Sequence, residues 1–153
     1  MIKEKRKKEY IMKEPKFTYQ EDVGIVSCII EDKNKYYYGD AFCHDEDMQF
    51  FSKRTGEQIA ASRAYLEYLK DIRDTIKTEL KAFKHFYSCI KQHQNFNENE
   101  YSVRFLLRTI KKLEIELKEA QSAVIEERNN LKLFLDSKDK LYREVEKRRT
   151  EEN

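Results

Sequence analysis

The chain has 153 residues, 39% of them charged and 39% hydrophobic, at a mean hydropathy of −0.92. So dilute an apolar content excludes a large globular core and suits long helices that each carry one apolar stripe. The 31 Lys and Arg nearly balance the 29 Asp and Glu, so bulk charge argues against a nucleic-acid polymer, DNA included, and any basic site must be local.

Residues 1–16 read as a charged arm, mostly basic from Lys3 to Lys8 and closed by Pro15, the kind of run that stays solvated. Met1 leads into charged residues rather than the apolar stretch of a signal peptide. No run approaches the roughly 20 apolar residues of a membrane span. Cys28, Cys43 and Cys89 are odd in number and form no C-x-x-C, which suggests free thiols in a reducing cytoplasm.

Residues 17–55 read as a small β unit with an acidic loop. The β-branched run 23–31 predicts a strand, Asp32–Lys35 a polar turn, and Tyr36–Cys43 the returning strand. A lone hairpin is marginal in water, so a third strand is expected at Phe17–Gln20. Asp45, Glu46 and Asp47 lack the glycine and final glutamate of a calcium loop, and no metal site is expected there. Thr55 followed by Gln58 has capping-box spacing and predicts a helix start.

Residues 56–149 read as a long helical hairpin, with helices over about 56–92 and 99–149. In the first, steps of three and four residues from Ile59 to Ile90 are apolar except at Ser62 and Arg73. Asn97 with Glu100 offers a second capping-box start. The second seam runs from Val103 through Leu106, Ile110, Leu113, Leu117, Ala120 and Val124 to Val145, with exceptions at Glu127 and Lys138. The expected fold class is thus α+β: a short N-terminal antiparallel sheet followed by two long antiparallel helices. The second stripe outruns the first, so a second copy of the chain is expected to cover it.

The hairpin bend concentrates the candidate chemistry. Arg104 and Arg108 share one face in the first turns of the second helix, where the helix dipole and unpaired N–H groups favour an anion. Lys84 and Phe86 from the first helix and Asn95 from the connection complete the parts of a nucleotide site: cations for phosphate, a ring for the base, an amide for a polar edge. The competing reading pairs the two arginines with Glu98, Glu100 or a partner's carboxylate. Arg63, set among small residues, can approach the sheet or pair with Glu67. Catalysis is not expected. His44, His85 and His93 fall in no metal or acid–base spacing, and phosphate loops are absent from a chain with three glycines.

Two stretches, Gly39-Asp40-Ala41-Phe42-Cys43-His44-Asp45-Glu46-Asp47 and Gly56-Glu57-Gln58-Ile59-Ala60-Ala61-Ser62-Arg63-Ala64, resemble small phage-encoded proteins with a strand ending in cysteine, an acidic loop, and G-x-x-I-A-x-x-R-A opening a helix. Among these the chain is similar, over roughly residues 20–110, to the Thoeris anti-defence sponge family. The resemblance implies sequestration without hydrolysis of a cyclic ADP-ribose-type signal, or of cyclic oligonucleotides, in the host bacterial cytoplasm. It implies Arg104 and Arg108 on the pyrophosphate, Phe86 on adenine, Asn95 or Asn97 at a polar edge, and Arg63 as the motif arginine. It further implies a homodimer or a hexamer built as a trimer of dimers, with no cofactor. The alternative from the heptads is a coiled-coil adaptor that inhibits a host protein.

Overall fold

The computed structural model describes residues 14–43, 48 and 52–152. The basic run Lys3–Lys8 and the acidic triplet Asp45, Glu46 and Asp47 lie outside the described residues. The chain divides into two compact units, one formed by Met1–Tyr68 with Ile125–Asn153, the other by Leu69–Val124.

The first unit holds an antiparallel sheet of β1 (Lys16–Gln20), β2 (Ile25–Asp32) and β3 (Lys35–Phe42), ordered β1-β2-β3. The third strand expected at 17–20 is present. Lys33 and Asn34 form the tight turn between β2 and β3, both with positive φ (49° and 64°). That is the conformation whose twist matches a two-residue hairpin, and it is costly for lysine. Side chains alternate across the sheet. Val26, Cys28, Ile30 and Ala41 face inward and are buried, with Phe17 and Tyr37 beside them.

The helix α1 (Lys53–Lys91) lays its first turns on that inner face. Ala60 and Ala64 are fully buried, and the backbones come so close that glycine is needed on both sides. A Cβ at Gly39 would collide with the backbone of Ala60, Arg63 and Ala64, and one at Gly56 would stand 2.6 Å from Val26 Cγ2. Every fourth residue from Gly56 through Ala60 to Ala64 is small and lies along one helix face. At the margin, the Tyr19 hydroxyl donates to Glu57 Oε1 at 2.5 Å, and Lys53 Nζ sits 3.9 Å from the Tyr19 ring centroid.

Both helix starts differ from expectation. Ser52, not Thr55, caps α1: its Oγ accepts the Thr55 N–H at 3.3 Å, and its carbonyl accepts the Gly56 N–H at 2.9 Å. The helix α2 runs from Tyr101 to Glu152, its first bond from Arg104 N–H to Glu100 O at 3.0 Å. Asn97 is spent one step earlier, its Oδ1 accepting the Asn99 N–H at 3.0 Å in an Asx turn.

In this unit the polar exceptions of the two seams meet. Ser62 Oγ donates to Glu127 Oε1 at 2.5 Å, so each satisfies the other. Further along α2, Leu131, Phe134, Tyr142 and Val145 are half-buried, while Ile125, Leu133 and Leu141 are exposed.

The second unit pairs residues 69–91 of α1 with residues 101–124 of α2 across the bend at 92–100. Ile76 and Leu80 pack with Leu106, Ile110, Leu113 and Ala120, flanked by Ile72, Tyr87, Ile90 and Leu117. Apart from Ile72, which replaces the predicted Arg73, these are predicted seam positions; Phe83, also predicted, is exposed. Tyr87 and Phe96 close the bend edge to face, with ring centroids 6.1 Å apart.

Candidate functional site

The second unit contains five of the six predicted site residues. Over the first turns of α2 the buried stripe is Val103, Leu106, Ile110 and Leu113. At 3.6 residues per turn, Arg108 stands about 180° round the helix from the middle of that stripe and Arg104 about 140°. Both are exposed. Among the described residues, neither guanidinium has a carboxylate within ion-pairing distance, so the pairing with Glu98 or Glu100 is not made in the chain. No acidic residue occupies the first turn of α2, where the helix dipole would otherwise be neutralised.

Two rings accompany these arginines that sequence reasoning passed over. Tyr101 is 80% exposed and Phe105 61%. Tyr101, Phe105 and Arg108 follow at steps of four and three, so they share the outward face with Arg104 beside them. The signal is present in Tyr101-Ser102-Val103-Arg104-Phe105-Leu106-Leu107-Arg108. The heptad count assigns the seam and leaves the opposite face unread. Solvated rings of this size next to cations offer stacking and charge from one helix face.

The other predicted members are distributed differently. Lys84 Nζ pairs with Glu114 Oε1 at 3.1 Å, which spends its charge across the helical pair. Phe86 is 57% exposed, but residues two apart on a helix do not face the same way, so it stands on the other flank of α1 from Lys84. Asn95 is exposed at the bend, its N–H donating to His93 Nδ1 at 3.4 Å. One chain therefore brings Arg104 and Arg108 together and adds Tyr101 and Phe105. It does not gather Lys84 and Phe86 with them into one concavity.

Arg63 belongs to the first unit. Its Nη1 donates to the Asp40 carbonyl at 2.5 Å, which ties α1 to β3 where Gly39 admits the helix. Gly39, Gly56, Ala60, Arg63 and Ala64 thus have a packing role in this chain. The shallow cleft bounded by Asp136, Asp139, Lys140, Arg143, Glu144 and Lys147 lies along the polar side of α2 and contains none of the predicted residues. Among the described residues, no group of three or more metal-ligating side chains occurs, and no helix is long and apolar enough to cross a membrane. No known protein family, curated protein or solved structure matches the chain.

Proposed function

We propose that the protein binds a small phosphate-bearing ligand on the outward face of α2, with Arg104 and Arg108 gripping the phosphates, and holds it without turnover. The observation that carries this reading is the pair of exposed guanidinium groups one helical turn apart, unneutralised among the described residues and flanked by the solvated rings of Tyr101 and Phe105. Charge-assisted contacts to two arginines fix a pyrophosphate, and a ring supplies a stacking surface for a base. A convex helix face leaves a ligand half-open. In this reading a second chain completes the site and brings Phe86 and Asn95 against the ligand, in a homodimer or a trimer of dimers.

The likeness to the Thoeris sponge family supplies the identity of the ligand: a cyclic ADP-ribose isomer, sequestered in the bacterial cytoplasm so that the defence it activates stays silent. Incubation of the purified protein with that signal, followed by removal of free ligand and heating, tests both halves. Mass spectrometry should recover intact signal in stoichiometric amount. Recovery of a cleaved product indicates an enzyme, and recovery of nothing removes the proposal.

A second reading, an adaptor that inhibits a host protein, is favoured by the exposed Ile125, Leu133 and Leu141 of α2. A stoichiometric host protein captured by the wild type and lost with Leu133→Lys would support it.

A further inference from the structure

The sheet has two faces and α1 covers one of them. On the other, the register sets out three rows across the strands: Lys16, Ile29 and Tyr38; Thr18, Ser27 and Asp40; Gln20, Ile25 and Phe42. Tyr36 extends the aromatic edge beyond the first row, opposite Glu31. Tyr36 is 55%, Tyr38 60% and Phe42 63% exposed, and the central Ile25, Ser27 and Ile29 are half-buried. At about 200 Å² per ring, the three aromatics alone leave about 350 Å² open, already the size of the largest apolar patch on an ordinary monomer.

We propose that this open face docks on the same face of a second copy of the chain, about a two-fold axis running along β2. The argument is self-complementarity. The face has a polar, basic margin on β1 and an aromatic, acidic margin on β3. A two-fold along the central strand lays one margin on the other at matching levels. Lys16 then meets the Tyr38 ring of the second copy, Thr18 meets its Asp40, and Gln20 meets its Phe42. Ile25 and Ile29 meet their own counterparts on the axis. Cation on ring and hydroxyl on carboxylate are favourable pairs. The isologous arrangement makes each of them twice. Face-to-face sheets pack about 10 Å apart, which suits interdigitating rings. The aromatics supply nearly half of the about 800 Å² per partner that a standard interface buries, and the exposed Lys16, Thr18 and Gln20 add to it. Isoleucines on the axis, with aromatic rings and charged groups towards the margins, give an apolar centre inside a more polar rim, as interfaces have. The inference is independent of the ligand reading, since Arg104 and Arg108 take no part in it.

Sedimentation equilibrium on the full chain tests it. The wild type should be a dimer or a larger even assembly at micromolar concentration. Tyr38→Lys with Phe42→Lys should at least halve the mass while circular dichroism keeps its helical signal. Thr18→Lys, which leaves every apolar contact in place, should tighten association several-fold by meeting Asp40 across the axis, and salt should erase the gain. A wild-type monomer overturns the proposal. So does an unchanged mass in the folded double variant, or an unchanged affinity with Thr18→Lys; the last decides the matter if the double variant fails to fold.

Discussion

The contact between the sheet and α1 and the contact between the two helices at 69–124 solve one problem in opposite ways. Each must bury an apolar stripe. At the sheet, side chains are removed: Gly39, Gly56, Ala60 and Ala64 let backbone approach backbone, and Val26 fills what little space remains. In the helical pair, side chains are added: Leu80, Leu106, Ile110 and Leu113 fill the gap between the helix axes. The first contact is intolerant of added atoms, the second of removed ones. Substitutions of opposite kind should therefore hurt each most.

The largest effect is expected at Gly39. Gly39→Ala puts a methyl group into the backbone of α1, and unlike a flexible side chain the backbone of Ala60 and Ala64 has nowhere to yield. A loss of about 3 kcal/mol or more is expected, read as a drop in the urea midpoint. The same exchange of hydrogen for methyl on the outer face of a helix costs nothing comparable. In the helical pair, Leu113→Ala or Ile110→Ala should cost about 2–4 kcal/mol through the cavity left behind. Hydrogen exchange should then show faster opening of residues 69–124.

A smaller effect separates the two regions at Ser62 and Glu127. Ser62→Ala leaves the half-buried Glu127 without its donor and should cost about 1 kcal/mol. Adding Glu127→Leu should recover most of it, since an apolar pair fits a heptad seam. A double-mutant cycle in urea measures the coupling. Cys28 offers a pH readout of the sheet contact. Burial pushes its thiol up to about 11 from an ordinary value of 9.0. A raised folded pKa means that the thiol's contribution is intact below pH 9 and is lost as pH rises from 9 towards 11. Cys28→Ser should flatten that alkaline fall in stability. Iodoacetamide at pH 8 should label the exposed Cys89 and spare Cys28 until the chain unfolds. The smallest expected change is a gain. Lys33→Asn relieves a lysine held at positive φ and should add about 0.5–1 kcal/mol.

What the sequence disclosed follows from the same contrast. Heptad spacing is written in large apolar residues, so most buried positions of the two helices could be read from it, Phe83 and Ile72 being the departures. The hairpin was legible from the β-branched run 23–31 and the polar turn after it, and its third strand from the instability of two strands alone. The sheet contact was not, because its signal is an absence of side chain. Gly56, Ala60 and Ala64 read only as a sequence motif, where the structure uses them for close packing; Arg63 read both as a binding residue and as a guanidinium able to approach the sheet, and it donates to the Asp40 carbonyl of β3. The caps failed for a local reason. Ser52 lies three residues before Thr55 and takes its N–H first, and Asn97 satisfies Asn99 before the helix begins. At the candidate site the spacing of Arg104 and Arg108 placed them on one helix face. The spacing of Lys84 and Phe86 already put those two on different flanks. Tyr101 and Phe105 went unread because apolar residues off the seam draw no attention in a periodicity count.

The most direct test of the functional reading is a calorimetric titration of the wild-type protein and of Arg104→Ala with Arg108→Ala, using a cyclic ADP-ribose isomer. Saturable binding by the wild type is predicted, with affinity falling on the order of 10- to 100-fold for each arginine removed, as expected for hydrogen bonds to charged groups. Equal binding by both proteins, or none by the wild type, would contradict it.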